Sequence, residues 1–165
     1  MGRDINKMDE RLKLLYFQLD NILKFKNISY MITCVERTVI EHLVLYVQGR
    51  LKTKEVNSFR EYINLYPLTD DQNKIVTWTL FSKHIINPEK NINYSRAFDI
   101  AILKDRKPVW DIKIDVNKND IPDYEEVGII AEKLQITYTD GKKYGLKWGG
   151  RFKNPDYPHF ELCEL

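Results

Sequence analysis

RAFDIAIL, residues 96–103, predicts the central strand of the fold. Phe98, Ile100 and Ile102 fall on one face, because successive side chains of a β-strand point to opposite sides. The other face carries the carboxylate of Asp99 between two alanines, whose small side chains leave space beside it. We therefore expect a strand that buries one face in the core and presents Asp99 to a site on the other.

Helical patterns lie on both sides of this strand. Apolar residues recur at helical spacing over 9–26. TVIE at 38–41 matches a capping box, and the helix that it starts should stop at Gly49. A third helix is expected at 123–134, with Asp123 as its N-cap.

The remaining strands follow from β-branched and aromatic content. They are predicted at 30–35, 75–81 and 159–165, with a hairpin that turns at Asp140–Gly141, whereas 51–75 shows no clear pattern. Helices mixed with mostly non-crossover strands predict one α+β domain over residues 1–165. We expect a small, mostly antiparallel sheet with flanking helices.

Composition excludes several classes of protein. The 165 residues are 43% hydrophobic and 30% charged. Their net charge of +2 is too small to indicate a basic surface that binds nucleic acid. No apolar run is long enough for membrane insertion. The first fifteen residues lack the apolar core of a secretory signal, so we expect a cytoplasmic protein. Cys34 and Cys163 lie in apolar stretches and are expected to be buried free thiols.

Two histidines and one carboxylate form the candidate site. Asp99, His84 and His159 can be placed on adjoining strand ends, and this donor set suits a zinc ion with one coordination position left open. Such an ion polarises a carbonyl group and activates water, and Asp156 is placed to act as the base. The competing interpretations are a backbone-bonded histidine for His159, a surface-loop histidine for His84 and a simple turn residue for Asp156.

Longer stretches carry a resemblance to a known family. WGGRFKNPDYPHFEL, 148–162, resembles the C-terminal signature of the VanY-like, D-alanyl-D-alanine carboxypeptidase family of zinc metallopeptidases. SKH at 82–84, followed by SRAFDIA at 95–101, is similar to that family's first metal motif. GRDINKMDERL and TCVERTVIEHLVLYVQGR resemble the N-terminal parts of phage endolysins of the family. The resemblance implies a Hedgehog/DD-peptidase-like fold and an L-alanyl-D-glutamate peptidase that cuts peptidoglycan.

The resemblance also implies roles for individual residues. His84, Asp99 and His159 would bind one Zn²⁺ ion, and Asp156 would be the general base. Asp99 follows His84 by 15 positions, a wider spacing than is usual, with INPEKNINY inserted. Ser95 stands where glycine is common. A loop can lengthen without moving its anchored ends, so His84 stays the expected ligand.

Four further residues are assigned around the cleft. Ser82 would line it, and Arg37 would bind a substrate carboxylate or the developing oxyanion, with a surface ion pair as the alternative. Trp148, followed by two glycines, is expected to wall the cleft. His42, where glutamine is usual, is expected beside the substrate site as a supporting residue rather than a fourth ligand. Trp78 is expected in the core.

These expectations combine into a function. We expect a monomeric zinc endolysin that cuts the peptidoglycan stem peptide and waits in the host cytoplasm until its release, without a separate wall-binding domain. A D,D- or L,D-carboxypeptidase of cell-wall remodelling is the alternative within the enzymes. A metal-free wall-binding homologue is the alternative from another class.

Overall fold

Four α-helices and six β-strands make up the computed structural model, which describes all 165 residues. The helices are α1 (Glu10–Phe25), α2 (Val39–Val47), α3 (Thr53–Tyr62) and α4 (Asp123–Ala131). The strands are β1 (Tyr30–Cys34), β2 (Ala97–Lys104), β3 (Lys107–Val109), β4 (Gln135–Thr137), β5 (Lys143–Trp148) and β6 (His159–Glu164).

All strand pairings are antiparallel, in the order β1-β2-β6-β5-β4, and β3 pairs with the far end of β2. The predicted single α+β domain with an antiparallel sheet is confirmed. Its Hedgehog/DD-peptidase-like character stays a prediction.

Strand β2 organises the sheet as its alternation predicts. Phe98, Ile100 and Ile102 are completely buried in the core, where they join the leucines of α1. On the opposite face, the register pairs Asp99 with His159 of β6 and with Cys34 of β1. The pairing of three strands therefore places these side chains at one position of the sheet.

The helix ends show where local chemistry decides the structure. In α2, the Thr38 side chain accepts from Glu41 N at 3.2 Å and the Glu41 side chain accepts from Thr38 N at 2.8 Å, so the predicted capping box is confirmed. This helix ends two residues before Gly49, which has a φ of +74°. The prediction that Asp123 caps α4 is wrong, because Asp123 is the first helical residue and Pro122 precedes it as the cap. No helix combines the length and apolar character needed to cross a membrane.

The predicted strand at 75–81 is wrong. Its residues form an irregular segment, and the Trp78 side chain, expected in the core, is 62% exposed. The backbone carbonyls of this segment pair with side chains instead of a neighbouring strand: Thr79 O accepts from His42 at 2.8 Å and Thr77 O from Arg50 at 3.1 Å. Strand propensity is overridden here by tertiary hydrogen bonds.

Trp148 is a core residue, which contradicts the prediction that it walls the cleft. It lies on the buried face of β5 and is 3% exposed. Its ring packs against Gly128 of α4, and its Nε1 donates to Tyr157 O at 2.9 Å. The indole therefore stabilises the turn at Tyr157, which leads into β6.

Replacing Gly128 by alanine should destabilise the fold. The added Cβ would lie 2.2 Å from the Trp148 ring, so we expect a loss of about 1–3 kcal/mol from overpacking. Thermal unfolding measures it, with Glu125→Ala on the exposed side of the same helix as the control. Equal melting temperatures for the two variants would contradict this packing of Trp148 against Gly128.

Candidate metal centre

Backbone hydrogen bonds fix the chain on both sides of the predicted insertion, residues 86–94. Arg37 N donates to His84 O at 2.9 Å before the insertion, and Arg96 N donates to Lys83 O at 2.8 Å after it. Ser95 is completely buried, and its hydroxyl lies 2.7 Å from Val35 O. The longer loop therefore leaves the positions of His84 and β2 fixed relative to each other.

Three side-chain donors converge at this position. His84 Nε2 lies 3.1 Å from Asp99 Oδ1 and 3.2 Å from His159 Nδ1, and His159 Nδ1 lies 2.9 Å from Asp99 Oδ1. Zinc takes nitrogen and oxygen ligands at roughly 2.0–2.2 Å, so tetrahedral donors stand about 3.3 Å apart. The three separations fit such an ion closely.

The outer nitrogen of His84 is oriented by a hydrogen bond, and the outer nitrogen of His159 faces a carboxylate beyond hydrogen-bond distance. His84 Nδ1 lies 2.7 Å from Val35 O and donates to it, so in the neutral form of the ring, which binds metals, the lone pair is on Nε2 and faces Asp99. His159 Nε2 lies 3.6 Å from Glu161 Oε2. Backbone carbonyl and carboxylate partners of this kind fix the ring orientation of metal-binding histidines. The donor set is therefore prepared for a cation.

Cys34 adds a second set of donors. Its Sγ, His84 and Asp99 offer donor atoms within 4.8 Å of one another. However, the sulfur lies 3.7 Å from Nδ1 of His84, the nitrogen that already donates to a backbone carbonyl. The set with His159 has shorter separations and uses the free nitrogen, so it fits an ion better. Cys163, the other free thiol, is only half-buried.

The charge balance supports a cation at this position. Burial alone would raise the pKa of Asp99, but the two imidazoles hold it well below its usual value. Burial alone would lower the pKa of His84, but the Asp99 charge raises it to about 10. Without a metal ion, a protonated imidazole thus supplies the positive charge that this buried carboxylate needs.

The model of a protein family described as D-alanyl-D-alanine carboxypeptidase matches residues 77–162, just over half of the chain. The chain belongs to this family. Membership implies a metallopeptidase that acts on a peptidoglycan-type substrate, and the matched residues contain His84, Asp99 and His159. A search of curated proteins found no match.

Asp156, the base expected from the family resemblance, stands beside the donor set. Its carboxylate accepts no hydrogen bond from the protein, while its backbone is held by Gly149 O at 2.9 Å and by His159 N at 3.1 Å. The side chain keeps exposed surface, but partial burial in the cleft raises its pKa, and the nearby Asp99 charge raises it further. The carboxylate is thus available to exchange protons in the cleft.

Arg37 also reaches this position from the turn after β1. Its Nη2 donates to Asp99 Oδ2 at 2.9 Å, and its Nε is buried without a partner. The alternative of an exposed surface ion pair is not what the structure shows, because only 14% of the Arg37 side chain is exposed. Its role toward substrate or oxyanion stays a prediction.

A cleft of about 340 Å³ opens over these groups. Ser82 lines it as expected, and its Oγ accepts from His84 N at 3.3 Å. The aromatic walls are Trp78, Phe81 and Phe152, and not the predicted Trp148. The other lining residues are Arg37, Val76, Thr77, Thr79, Lys83, His84, Lys153, Asn154, Asp156, His159 and Glu161.

His42 does not line the cleft, which contradicts its expected place at the substrate site. It is 1% exposed, and its Nε2 donates to Thr79 O at 2.8 Å. It therefore ties the cleft segment 75–81 to α2. Sequence reasoning also missed Glu161 and Cys34; Glu161 follows His159 by two residues, a spacing that places both on one face of a strand.

Metal analysis of two variants separates the donor sets. We expect about one zinc ion per wild-type chain after purification with zinc. His159→Ala should lose most of it, because one of three ligands is removed, whereas Cys34→Ala should keep it. Thermal unfolding establishes that both variants are folded. Retention in His159→Ala together with loss in Cys34→Ala would assign the ion to the cysteine set instead.

Proposed function

We propose that this chain is a zinc-dependent peptidase that hydrolyses a stem-peptide bond of bacterial peptidoglycan, with the bond between L-alanine and D-glutamate as the first candidate. One observation carries the proposal. Three donor atoms of His84, Asp99 and His159 converge within 3.2 Å of one another, beside a cleft that His84 and His159 line. The free carboxylate of Asp156 lines the same cleft.

The residues divide the chemistry between them. A zinc ion held by the three donors supplies Lewis acidity, which acidifies water and polarises a carbonyl group. Asp156 accepts the proton of the attacking water and passes it to the leaving amine. Its raised pKa suits this task, because a base must also return the proton. The permanent charge of Arg37 stabilises the negative oxygen that develops in the transition state.

The cations of the cleft suit the substrate class. In the L-alanyl-D-glutamate bond, the leaving residue carries a free carboxylate beside its nitrogen, since the stem peptide continues through the γ-carboxyl group. A terminal D-alanyl-D-alanine bond offers a carboxylate at the same place. Lys83 already pairs with Glu161 at 3.2 Å, whereas Lys153 lines the cleft without a charged partner. Lys153 is therefore the cation of the cleft that is free to meet this carboxylate, since Arg37 pairs with Asp99.

The alternative is a D,D- or L,D-carboxypeptidase, which the description of the matching family favours. The two activities differ in the substituent of the carboxylate-bearing residue: the first substrate continues through a γ-linked chain, and the second ends there. A metal-free wall-binding role is disfavoured by the intact donor set. The endolysin role and residence in the host cytoplasm until release are supported by the resemblance of the sequence to phage endolysins.

Digestion of purified peptidoglycan distinguishes the two bonds. We expect new amino termini on D-glutamate, which labelling of free amines and subsequent mass spectrometry detect. Release of free D-alanine without new D-glutamate termini would replace the first candidate by the carboxypeptidase.

Asp156→Asn should reduce hydrolysis at least about 100-fold, because the amide cannot accept the proton. Zinc content and melting temperature should stay at wild-type values, since the carboxylate accepts no hydrogen bond from the protein. Asp71→Asn, the same chemical change at an exposed residue outside the cleft, is the matched control. If Asp156→Asn is as active as Asp71→Asn, Asp156 is not the general base.

A further inference from the structure

The loop before α4 carries a pattern that the peptidase chemistry does not use. DVNKNDIPDYEE, residues 115–126, places Asp115, Asn117 and Asn119 at positions one, three and five, and Glu126 at position twelve. This is the ligand spacing of the calcium loop of an EF-hand. The one departure is Asp120 at position six, where such loops have glycine.

The backbone adopts the turn that the pattern requires. Asp120 has a φ of +67°, the left-handed conformation for which glycine is usually needed and which aspartate tolerates. The carboxylate of Asp115 accepts from Asn119 N at 3.2 Å and from Asp120 N at 2.9 Å, so the loop closes around it. Helix α4 then begins at Asp123 and carries Glu126 in its first turn.

Two buried oxygens in this loop lack partners, and they point to a cationic ligand. Asp123 is 0% exposed; its Oδ2 accepts from Val116 N at 2.7 Å, but its Oδ1 has no partner. Asn117 Oδ1 is buried without a partner as well. Buried oxygens in this state cost free energy that a cation would recover.

Nitrogen donors stand where a cation would bind Glu126. Lys26 Nζ lies 2.8 Å from Glu126 Oε1, and the amide groups of Asn117 and Asn119 donate to Oε2 at 2.9 and 2.8 Å. The carboxylates of Asp115, Asp123 and Glu126 are not all within 4.8 Å of one another. Ion binding therefore requires the exposed Lys26 to swing away and the two amides to turn their oxygens inward.

We propose that residues 115–126 bind one calcium ion through Asp115, Asn117, Asn119, Glu126, the carbonyl of Ile121 and Asp123. Calcium fits because the donors are all oxygens, several of them uncharged, in a flexible loop, whereas zinc prefers nitrogen and sulfur and magnesium demands a tighter octahedron. Two uncharged side-chain ligands and the substituted glycine place the expected dissociation constant at about 10⁻⁴ M, weaker than in calcium sensors.

Calorimetric titration of the zinc-loaded protein with calcium chloride tests the site. We expect one ion per chain, and a rise of roughly 5–10 °C in melting temperature in 10 mM calcium chloride. Magnesium chloride should give a much smaller rise. Asp115→Asn and Glu126→Gln should each weaken calcium binding at least tenfold, whereas Asp111→Asn, in the same loop but outside the pattern, should leave it unchanged.

Lys26→Gln distinguishes a calcium site from a purely structural ion pair. The variant removes the ammonium group that competes for Glu126, so calcium should bind more tightly than in the wild type. The proposal is overturned if the wild-type chain shows neither binding heat nor a melting shift in 10 mM calcium chloride. It is equally overturned if Asp115→Asn and Glu126→Gln respond to calcium as the wild type does.

Discussion

The pairing of Asp99 with His159 across β2 and β6 is the constraint on which the rest of the structure depends. Backbone register, and not a flexible loop, sets the distance between these two donors. A carboxylate at such a depth is costly unless positive groups surround it, and His84, His159 and Arg37 all approach it. The candidate metal centre can therefore form only after strands from distant parts of the chain have joined.

Local chemistry made much of this framework predictable. The alternation of β2 identified its core face, the leucine spacing identified α1, and the reciprocal side chains of Thr38 and Glu41 identified the start of α2. Each pattern acts over a few residues and is not changed by tertiary contacts. The convergence of His84 with Asp99, in contrast, was a hypothesis from the donor types that the family resemblance supported, because spacing alone cannot show that two segments meet.

Tertiary packing decided the features that the sequence did not reveal. Trp78 has strand-like neighbours, yet its segment pairs with His42 and Arg50 and stays exposed at the cleft. Trp148 precedes two glycines, yet its ring is buried against α4, where the absence of a side chain at Gly128 leaves room for it. Asp123 has the chemistry of a helix cap, but its carboxylate turns back to the preceding loop. In each case a contact outside the residue's own helix or strand overrides the local preference.

The three tryptophans consequently occupy three separate optical environments. Trp148 is enclosed and hydrogen-bonded, Trp78 is exposed on the cleft wall, and Trp110 is exposed close to the loop that precedes α4. Indole emission shifts to the red in contact with water, so unfolding changes the emission of the first, whereas a ligand in the cleft shields the second. Single replacements by phenylalanine would thus give this chain separate intrinsic fluorescent reporters of folding and of cleft occupancy.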